Sequence, residues 1–346
     1  MILRILLFPF ALLYHLVSWA RNQMYDVGLK PSASFEIPVI SIGNLSVGGT
    51  GKTPMVEYII QVLESDFSIG TLSRGYKRTT KGFRIAAADD NALTIGDEPY
   101  QFYKKHHNEI TVAVGEDRAM AIPALLQEHD LDVILLDDAF QHRKVRPSFN
   151  VLLTDFNKPF FTDFILPSGR LRESRSGAKR ADVVIVTKCP PTLTVEKQAD
   201  IERAIRRYTT KPVFFTTIAY GSPVSFGEMN GGITDEIILL SGIADPTTLL
   251  AYARQHFKVL EHLHFPDHYQ YKSRDIKKLR EKFTGSNPVS ILTTEKDMVK
   301  LDAEEFKQHT MGIPLFYLPI SVGFLKSGQD FDEMLLRHVR QHREKN

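Results

Sequence analysis

The strongest chemical signal in the sequence is a glycine-rich stretch that ends in a lysine and a threonine. It reads SVGGTGKT over residues 46–53, directly after the apolar run IPVISIG and directly before an amphipathic segment with Pro54 in its first turn. Glycines leave backbone N–H groups free to converge on phosphate oxygens, and the positive end of a helix dipole strengthens the attraction. The pattern predicts a phosphate-binding loop made of Ser46, Val47, Gly48, Gly49, Thr50, Gly51, Lys52 and Thr53.

Two residues at the end of this loop carry side-chain chemistry. Lys52 is expected to reach the β- and γ-phosphates of a nucleotide, and Thr53 to offer its hydroxyl to Mg²⁺. Ser46 stands where the common motif has its first glycine, which loosens the match. The alternative is a glycine-rich turn that arose by chance. That alternative is disfavoured because a strand, a Lys-Thr pair and a helix start occur together here.

A pair of acids after a later apolar run complements this loop. In DVILLDDAFQH, Asp137 and Asp138 follow four apolar residues. A phosphate loop needs a carboxylate at the end of a neighbouring buried strand to hold the hydrated metal ion. One of the two acids is therefore predicted to face Mg²⁺, and the sequence leaves open which. Taken alone, two acids that close a strand are more often solvated caps.

Two further residues are candidates for activating an acceptor hydroxyl. Such a hydroxyl needs a base or an orienting carboxylate, and Asp97 in TIGDEPY is the candidate. The alternative for Asp97 is a helix N-cap, which sequence alone favours. His268 in HFPDHYQY is a second candidate, and its alternative is a surface or hydrogen-bonding histidine.

Three arginine-bearing stretches could meet negative charge. Arg74 begins a stretch with four further basic residues and no acid, and Arg118 lies in GEDRAM. PSGRLRES contains Arg170 and Arg172. An anionic substrate would use such charge for steering and for bidentate contacts. The alternative, for residues 77–84, is a solvated face.

The elements that position these residues alternate in type. From Ile37 to about Tyr208, short β-branched apolar runs alternate with longer amphipathic stretches. Continuously apolar runs indicate strands buried on both faces, as in a parallel sheet covered by helices. The predicted fold class is α/β, with a mainly parallel sheet of the P-loop NTPase type flanked by helices.

A change in composition divides the chain. A Gly-, Pro- and Ser-rich stretch at 221–232 separates the first alternation from a second, shorter one. We predict a P-loop core at 26–219, a smaller C-terminal α/β domain at 220–320, and a terminal helix at 321–346 that packs back on the core.

The N-terminal segment, residues 1–25, is far more apolar than the rest. Its run of sixteen residues, 5–20, is interrupted only by Pro9, His15 and Ser18. At about 1.5 Å per residue this run reaches about 24 Å, less than the roughly 30 Å of a bilayer core. A membrane-associated helix that lies in the interface therefore fits better than one that spans the bilayer. The sequence leaves open which of the two forms. The alternatives are a buried core helix and a cleaved signal peptide, for which no small-residue cleavage site follows the run.

Composition narrows the function classes further. The 346 residues carry 43 Lys and Arg against 41 Asp and Glu, a formal net charge of +2 that is too balanced for a protein that wraps nucleic acid. The single cysteine, Cys189, excludes an intramolecular disulfide scaffold. The sequence has neither a Cys/His metal cluster nor a G-x-S-x-G elbow, so structural zinc and acyl hydrolysis lack support. Lys188 in VVIVTK and Lys296 in ILTTEKD do not fit the N-K-x-D guanine motif and are interpreted as ordinary strand ends.

Several of these strings occur together in one known family. GNLSVGGTGKTP, LSRGYKR, GDEP, LLDDAFQH, LPSGRLRE and FPDHY follow in this order over residues 43–269. The set resembles the tetraacyldisaccharide 4'-kinase family, the lipid A 4'-kinases of Gram-negative bacteria. The resemblance implies transfer of the γ-phosphate of ATP, with Mg²⁺, to the 4'-hydroxyl of a tetraacylated disaccharide 1-phosphate, which gives lipid IVA. It also implies an active site between the core and the C-terminal domain, at the cytoplasmic face of the inner membrane.

The resemblance also implies roles for individual residues. Members of the family pair the aspartate of GDEP with the histidine of FPDHY, so Asp97 and His268 are expected to form a dyad in which the imidazole positions and tunes the carboxylate. Arg118 and Arg172 match family positions near the transferring phosphate, and Arg74 is expected on the substrate side. The expected partners are the lipid A disaccharide 1-phosphate precursor and the inner-membrane surface, with no nucleic acid and no obligate protein partner.

Two other function classes are weighed against this one. A membrane-associated P-loop ATPase switch without a lipid acceptor also carries G-G-x-G-K-T, but it usually has a lysine where this chain has Ser46, and its membrane helix tends to be C-terminal. A soluble small-molecule P-loop kinase leaves the apolar N-terminal segment without a purpose.

Overall fold

The computed structural model of the chain describes residues 2–106, 109–227, 231–281, 289–302 and 304–344. Residues 228–230 of the predicted boundary stretch, residue 1 of the N-terminal segment and residues 345–346 of the terminal helix lie outside the described residues.

Helices and strands alternate along most of the chain. The helices are α1 Ile2–Asp26, α2 Lys52–Leu63, α3 Ala92–Ile95, α4 Asp97–His106, α5 Arg118–Glu128, α6 Val195–Ile205, α7 Thr247–His256, α8 Ser273–Glu281, α9 Glu295–Leu301, α10 Glu304–Thr310 and α11 Gly328–Arg343. The strands are β1 Val39–Asn44, β2 Ile69–Ser73, β3 Arg84–Ile85, β4 Ile110–Val114, β5 Val133–Asp137, β6 Phe149–Asp155, β7 Val183–Thr187, β8 Val213–Tyr220, β9 Val224–Phe226, β10 Glu236–Ser241, β11 Lys258–His264, β12 Ser290–Thr294, β13 Leu315–Leu318 and β14 Ile320–Phe324.

The larger sheet, within the part of the chain that the structure describes, has nine strands in the order β14-β8-β7-β6-β1-β5-β2-β4-β3. Its strands pair in parallel from β8 to β4, and the two edge strands β14 and β3 pair antiparallel. Because β1 lies between β5 and β6, the carboxyl ends of these strands meet at one edge of the sheet. Ligands of open parallel sheets bind at this edge.

Burial on both faces of the sheet explains why the central strands are mainly apolar. Every residue of VISIGN in β1, VILLD in β5 and VVIVT in β7 is buried. One covering element is α2, whose Met55, Ile59 and Leu63 recur at helical spacing and are fully buried. Burial of each such side chain contributes about 1.5–3 kcal/mol. This packing fixes α2 on the sheet with its first turn at the carboxyl edge of β1.

The smaller sheet has five strands in the order β11-β10-β12-β13-β9 among the described residues. All its pairs are parallel except β13 with β9. The chain leaves the larger sheet after Tyr220, enters the smaller one at Val224, and returns to the larger one with β14. The predicted α/β class, with mainly parallel sheets and flanking helices, is confirmed.

The last helix, α11, packs on the larger sheet. Its residues Phe331, Leu335 and Val339 lie four apart, are fully buried and join the same core cluster as the buried face of α2. Tyr58 of α2 also donates a hydrogen bond of 2.8 Å to Asp332. The C-terminal helix therefore completes the core of the larger sheet although it follows the smaller sheet in sequence.

The first helix, α1, exposes much of its apolar surface. Of the side chains that the structure describes in α1, only Ala11 is buried. Its large exposed apolar residues are Leu6, Phe8, Phe10, Leu12, Leu13, Tyr14, Leu16, Val17 and Trp19. Among the described residues, no helix combines the length and the apolar character needed to cross a membrane. Membrane association of α1 stays a prediction.

Candidate active site

The glycine-rich stretch forms the connection from β1 to α2. Gly48 and Gly51 have φ angles of 108° and 79°, a region in which glycine carries no steric cost. Gly51 is the N-cap residue of α2, and no side chain of a described residue caps that helix end. A β-carbon at Gly48 or Gly49 would have no atom within 4 Å, so the approach to the backbone is open. The loop can therefore present N–H groups and the positive end of α2 to an anion.

Contacts from neighbouring strand ends hold this loop in place. The Thr50 hydroxyl accepts a hydrogen bond of 2.7 Å from Asn44 Nδ2. The backbone carbonyl of Thr50 accepts a hydrogen bond of 2.9 Å from the Thr187 hydroxyl. The Lys188 ammonium donates to the carbonyl of Gly49 and lies 2.9 Å from Asp155 Oδ2. The interpretation of Lys188 as an ordinary strand end is therefore incomplete, because its side chain fixes the phosphate loop.

Two cations meet on Asp138, directly beyond β5. Lys52 Nζ lies 3.7 Å from Asp138 Oδ1, and Arg172 Nη1 donates to the same oxygen over 2.9 Å. Burial opposes ionisation of Asp138, but the charges of Lys52 and Arg172 outweigh it and hold the pKa of this carboxyl below its ordinary value. Asp138 is therefore a carboxylate that arranges the two cations beside the loop.

Asp137, at the end of β5, has a different environment. It is buried, and its Oδ1 forms no hydrogen bond with a described residue. Burial, opposed by Lys52 and reinforced by the charges of Asp138 and Glu98, raises the pKa of Asp137 to about 7. A buried carboxylate oxygen without a partner is a suitable ligand for a divalent cation, which would also favour the ionised form.

The predicted arginines Arg118 and Arg74 share this neighbourhood. Arg118 is the first residue of α5 and is buried, with its Nη1 donating to the Glu116 carbonyl over 3.0 Å. Its Nε forms no hydrogen bond with a described residue. Burial, reinforced by the charge of Arg74, lowers the pKa of Arg118, whereas Asp138 and Asp137 act in the opposite direction. An anion at this place would provide the missing partner.

The two other arginines of the basic stretch that begins at Arg74 have acidic partners. Arg78 forms an ion pair of 2.6 Å with Glu116, and Arg84 forms one of 2.7 Å with Asp90. These pairs hold the loop that carries Arg74, whose own side chain is exposed. Arg74 is therefore the arginine of this stretch that remains the candidate for a substrate contact.

The two candidates for acceptor activation lie in direct contact. His268 Nδ1 is 3.2 Å from Asp97 Oδ2, although the two residues are 171 positions apart in sequence. Asp97 is the first residue of α4, and it is 3% exposed. Among the described residues, its carboxylate contacts His268 and Lys300 rather than the N–H groups of α4. The N-cap interpretation that sequence alone favours is therefore wrong for this side chain.

The electrostatics of Asp97 favour its ionised form. Burial acts against the charge, but the hydrogen bond from His268 and the charges of Lys300 and Lys296 together hold the pKa of Asp97 below its ordinary value. His268 and Lys300 both approach Oδ2 of this carboxylate. A carboxylate with one oxygen held in this way can present the other to a hydroxyl group.

Two lysines that contact the dyad were missed from the sequence. Lys296 lies in helix α9, not at a strand end as predicted, and its Nζ is 3.1 Å from His268 Nε2 and 3.1 Å from Glu98 Oε1. Lys300, one helical turn later, lies 3.4 Å from Asp97 Oδ2. Their spacing of four residues in TEKDMVK was the available signal, because it places both on one helix face.

Helix α1 lies against the same edge of the site. The Tyr14 hydroxyl donates to the carbonyl of Arg172 over 3.0 Å, and Asn22 Nδ2 donates to Glu173 over 2.7 Å. Glu173 also accepts from Gln141, whose Nε2 donates to the carbonyl of Asn44 at the end of β1. Glu173 and Gln141 thus connect α1 to the phosphate loop, and both were missed because nothing local marks them.

Comparison with known proteins identifies one family and several similar chains. The family model described as tetraacyldisaccharide-1-P 4'-kinase matches residues 3–340. The chain is similar to the tetraacyldisaccharide 4'-kinase of Flavobacterium johnsoniae, with 43% identity over 99% of both chains. It is 45% identical to that of Flavobacterium psychrophilum over 97% of both chains. A crystal structure of LpxK from Aquifex aeolicus in complex with ATP matches 97% of this chain and 99% of its own, with a TM-score of 0.76 and 31% identity.

Proposed function

This chain belongs to the tetraacyldisaccharide-1-P 4'-kinase family, and from that premise we propose how its residues carry out the reaction. The chain is an ATP-dependent lipid A 4'-kinase, which transfers the γ-phosphate of ATP to the 4'-hydroxyl of tetraacyldisaccharide 1-phosphate. The alternative of an ATPase switch without a lipid acceptor is not favoured.

The phosphate loop is proposed to bind the β- and γ-phosphates of ATP. Its exposed glycines and the first turn of α2 favour an anion there, and Lys52 lies at the end of the loop. Arg118 and Arg172 are proposed to stabilise the charge of the transferring phosphoryl group. Fixed cations beside the transferring phosphoryl group have a large effect on the reaction rate, because they need no reorganisation during the reaction.

Asp97 is proposed to orient the acceptor hydroxyl and to accept its proton as the new bond to phosphorus forms. The observation that carries this proposal is the 3.2 Å contact between Asp97 and His268, which joins residues of the two sheet units. Because the pKa of Asp97 lies below its ordinary value, the carboxylate is charged at neutral pH. Its role is then chiefly orientation, with His268 fixing its position.

The metal ion is proposed to bind at Asp137 and Thr53. The unpartnered and buried Oδ1 of Asp137 fits a hydrated Mg²⁺, whereas Asp138 is already engaged by Lys52 and Arg172. When bound, Mg²⁺ neutralises charge that develops on the phosphate oxygens. The proposal therefore assigns the metal ion to Asp137 rather than to Asp138.

The lipid acceptor is proposed to reach the site along α1. This helix contacts Arg172 and Glu173 with its polar residues and exposes a broad apolar surface elsewhere. An exposed apolar helix face of this kind suits the interface of a bilayer. We place the enzyme at the cytoplasmic face of the bacterial inner membrane, where both ATP and the lipid precursor are accessible, with exposed Arg74 on the acceptor side.

The test is transfer of label from γ-labelled ATP to a lipid A disaccharide precursor. The wild-type enzyme should label the lipid, and Asp97→Asn should lower the rate at least about 100-fold, the range for a lost acid-base group. Asp302→Asn is the matched control, because Asp302 pairs with Lys104 across the same contact between the units without touching the dyad. Label that appears as free phosphate, unaffected by added lipid, would instead favour the ATPase switch. Full activity of Asp97→Asn would remove Asp97 from the chemistry.

A further inference from the structure

Helix α9 places two lysines on the dyad from outside the phosphate-binding core. Lys296 and Lys300 lie on one helix face, four residues apart, and approach the dyad from opposite ends. Lys296 reaches His268 Nε2, and Lys300 reaches Asp97 Oδ2. Neither lysine belongs to the phosphate loop or to its metal carboxylates.

We propose that Lys296 and Lys300 are positioning residues of the dyad. Lys296 fixes His268 in the tautomer that donates from Nδ1 to Asp97, and Lys300 holds the Asp97 carboxylate charged and oriented through Oδ2. The inference rests on the proposed function of Asp97 and His268 and adds the groups that fix the tautomer of His268 and keep Asp97 charged.

The tautomer of His268 follows from the donors around it. A lysine ammonium carries only donors, so Nε2 must accept from Lys296 at 3.1 Å. The proton of a neutral imidazole then resides on Nδ1, which faces Asp97 Oδ2 at 3.2 Å. Burial lowers the pKa of Lys296, but the charges of Glu98 and Asp267 outweigh it and raise that pKa above its ordinary value. Lys296 therefore remains a charged donor.

Lys300 provides a buried cation between two buried carboxylates. Its side chain is 2% exposed, and its Nζ lies 3.4 Å from Asp97 Oδ2 and 3.4 Å from Asp297 Oδ1. Without a cation, a carboxylate at this depth would favour its protonated form. A protonated Asp97 could not accept a proton from a hydroxyl. Lys300 thus maintains the form of Asp97 that the reaction needs.

The start of α9 is built to hold these lysines in place. Asp297 is fully buried and accepts hydrogen bonds of 2.8 Å from the Gly242 N–H and 2.7 Å from the Thr294 hydroxyl. Thr294, the last residue of β12, caps the helix by accepting from the Asp297 N–H. These contacts fix the first turn of α9 to the smaller sheet. The lysines therefore have a defined position relative to the dyad.

The first experiment tests Lys296 through the tautomer of His268. In ¹⁵N-labelled wild-type protein without substrate, the imidazole nitrogen shifts should report a proton on Nδ1. Lys296→Met should produce a mixture with the Nε2-protonated form and lower kcat at least about tenfold, with KM for ATP unchanged. Lys104→Gln is the matched control, because Lys104 forms an ion pair of 2.9 Å with Asp302 across the same contact and does not touch the dyad. It should keep both the shifts and the rate.

The outcomes separate this inference from the proposed function. An unchanged tautomer in Lys296→Met overturns the positioning role, even if the rate falls. A changed tautomer with an unchanged rate supports the positioning role and removes the dyad from the chemistry. An equal loss of rate in Lys104→Gln would mean that both lysines merely dock the two units, which also overturns the inference.

The second experiment tests Lys300 through the acid limb of the rate profile. Asp97 faces Lys296 and Lys300 from α9 and His268 from its turn, with Glu98 beside it. Lys300→Met should move the acid limb of kcat to higher pH, and Lys300→Arg should restore it. If Lys300→Met does not fold, Lys300→Met combined with Asp297→Asn removes one buried charge of each sign and allows the same profile. An acid limb at the wild-type position in a folded variant overturns the role of Lys300.

Discussion

Two adjacent residues of one type have opposite electrostatic environments in this site. Asp138 faces Lys52 and Arg172, and its pKa is lowered; Asp137 is buried in the strand end, and its pKa is raised to about 7. The difference arises because the strand β5 ends at Asp137. Asp138 follows with a left-handed φ of 49°, and its own side chain lies at the cations. A single residue step therefore separates a group that organises cations from one that can ligate a metal ion.

A first prediction at this scale concerns metal binding. Asp137→Asn should weaken binding of Mn²⁺, used as a spectroscopic substitute for Mg²⁺ in the presence of ATP, by at least about tenfold, because it removes an anionic oxygen ligand. Asp138→Asn should retain most of the Mn²⁺ affinity, since the carboxylate of Asp138 is already held by two cations. Electron paramagnetic resonance titration of free Mn²⁺ measures both. A larger loss in Asp138→Asn than in Asp137→Asn would reverse the assignment.

A site residue is easier to predict from the sequence when the residues that it contacts lie close to it along the chain. The placement of the glycine-rich loop between β1 and α2, and of the acid pair at the end of β5, was predictable, because strand, loop and helix start are consecutive in sequence. The role of Asp97 was not, since Gly-Asp before a helix usually gives a cap, and its partner lies 171 residues away. The family resemblance supplied the pairing with His268. The four-residue spacing of Lys296 and Lys300 places both on one helix face, but their contacts with the dyad depend on how the smaller sheet presents α9.

At the scale of elements, helix α1 combines two properties along its length. Its polar residues Tyr14 and Asn22 bind the segment that carries Arg172 and Glu173, while its large apolar side chains remain in contact with solvent. Such an exposed apolar surface is unfavourable in water and favourable in a bilayer interface. The sequence predicted a helix here, and the structure adds where it is attached. The attachment beside Arg172 explains how an apolar helix could bring a lipid surface close to the phosphate loop.

The second prediction tests the membrane role of this helix. Wild-type protein should co-sediment with vesicles that contain anionic lipid, and Leu12→Glu combined with Leu16→Glu should reduce the bound fraction at least about tenfold, because two exposed apolar contacts are replaced by charges. Met120→Glu is the control, since Met120 is 73% exposed and lies on α5. Equal binding of the double variant and the control variant would contradict an interfacial role for α1.

At the scale of the whole molecule, ion pairs connect the two sheet units around the site. Lys104 pairs with Asp302, and Lys158 pairs with Asp245, each across the junction. Asp97 of α4 meets His268 and Lys300 across the same junction. The overall α/β alternation was readable from the apolar runs, but the junction was not, because its partners come from distant parts of the chain. The site is therefore a property of the assembled molecule rather than of either sheet.

One junction cluster should make stability depend on pH. Lys105 of α4 lies 2.7 Å from Glu57 of α2 and 3.0 Å from Glu295 of α9, and Gln101 donates to Glu57. Burial, reinforced by the charges of Glu295 and Glu57 and opposed by Lys105, raises the pKa of Tyr317 of β13, which therefore also lies near this cluster. Burial, opposed by Lys105 and reinforced by Glu295, raises the pKa of Glu57 to about 7. In the folded protein Glu57 therefore keeps its proton over a range in which the unfolded chain has lost it.

The third prediction follows from the sign of this shift. The stability that protonated Glu57 provides is fully present below its unfolded pKa near 4.5 and is lost as pH rises through about 7. Glu57→Gln mimics the protonated form at every pH, so its stability relative to wild type should rise between pH 5 and 8, by about 1–3 kcal/mol. Thermal unfolding at pH 5, 6, 7 and 8 measures the difference. Lys104→Gln removes a different ion pair of the junction and should show no comparable rise in stability relative to wild type. If the stability difference between Glu57→Gln and wild type stays constant over this pH range, Glu57 is ionised in the folded protein and held by Lys105.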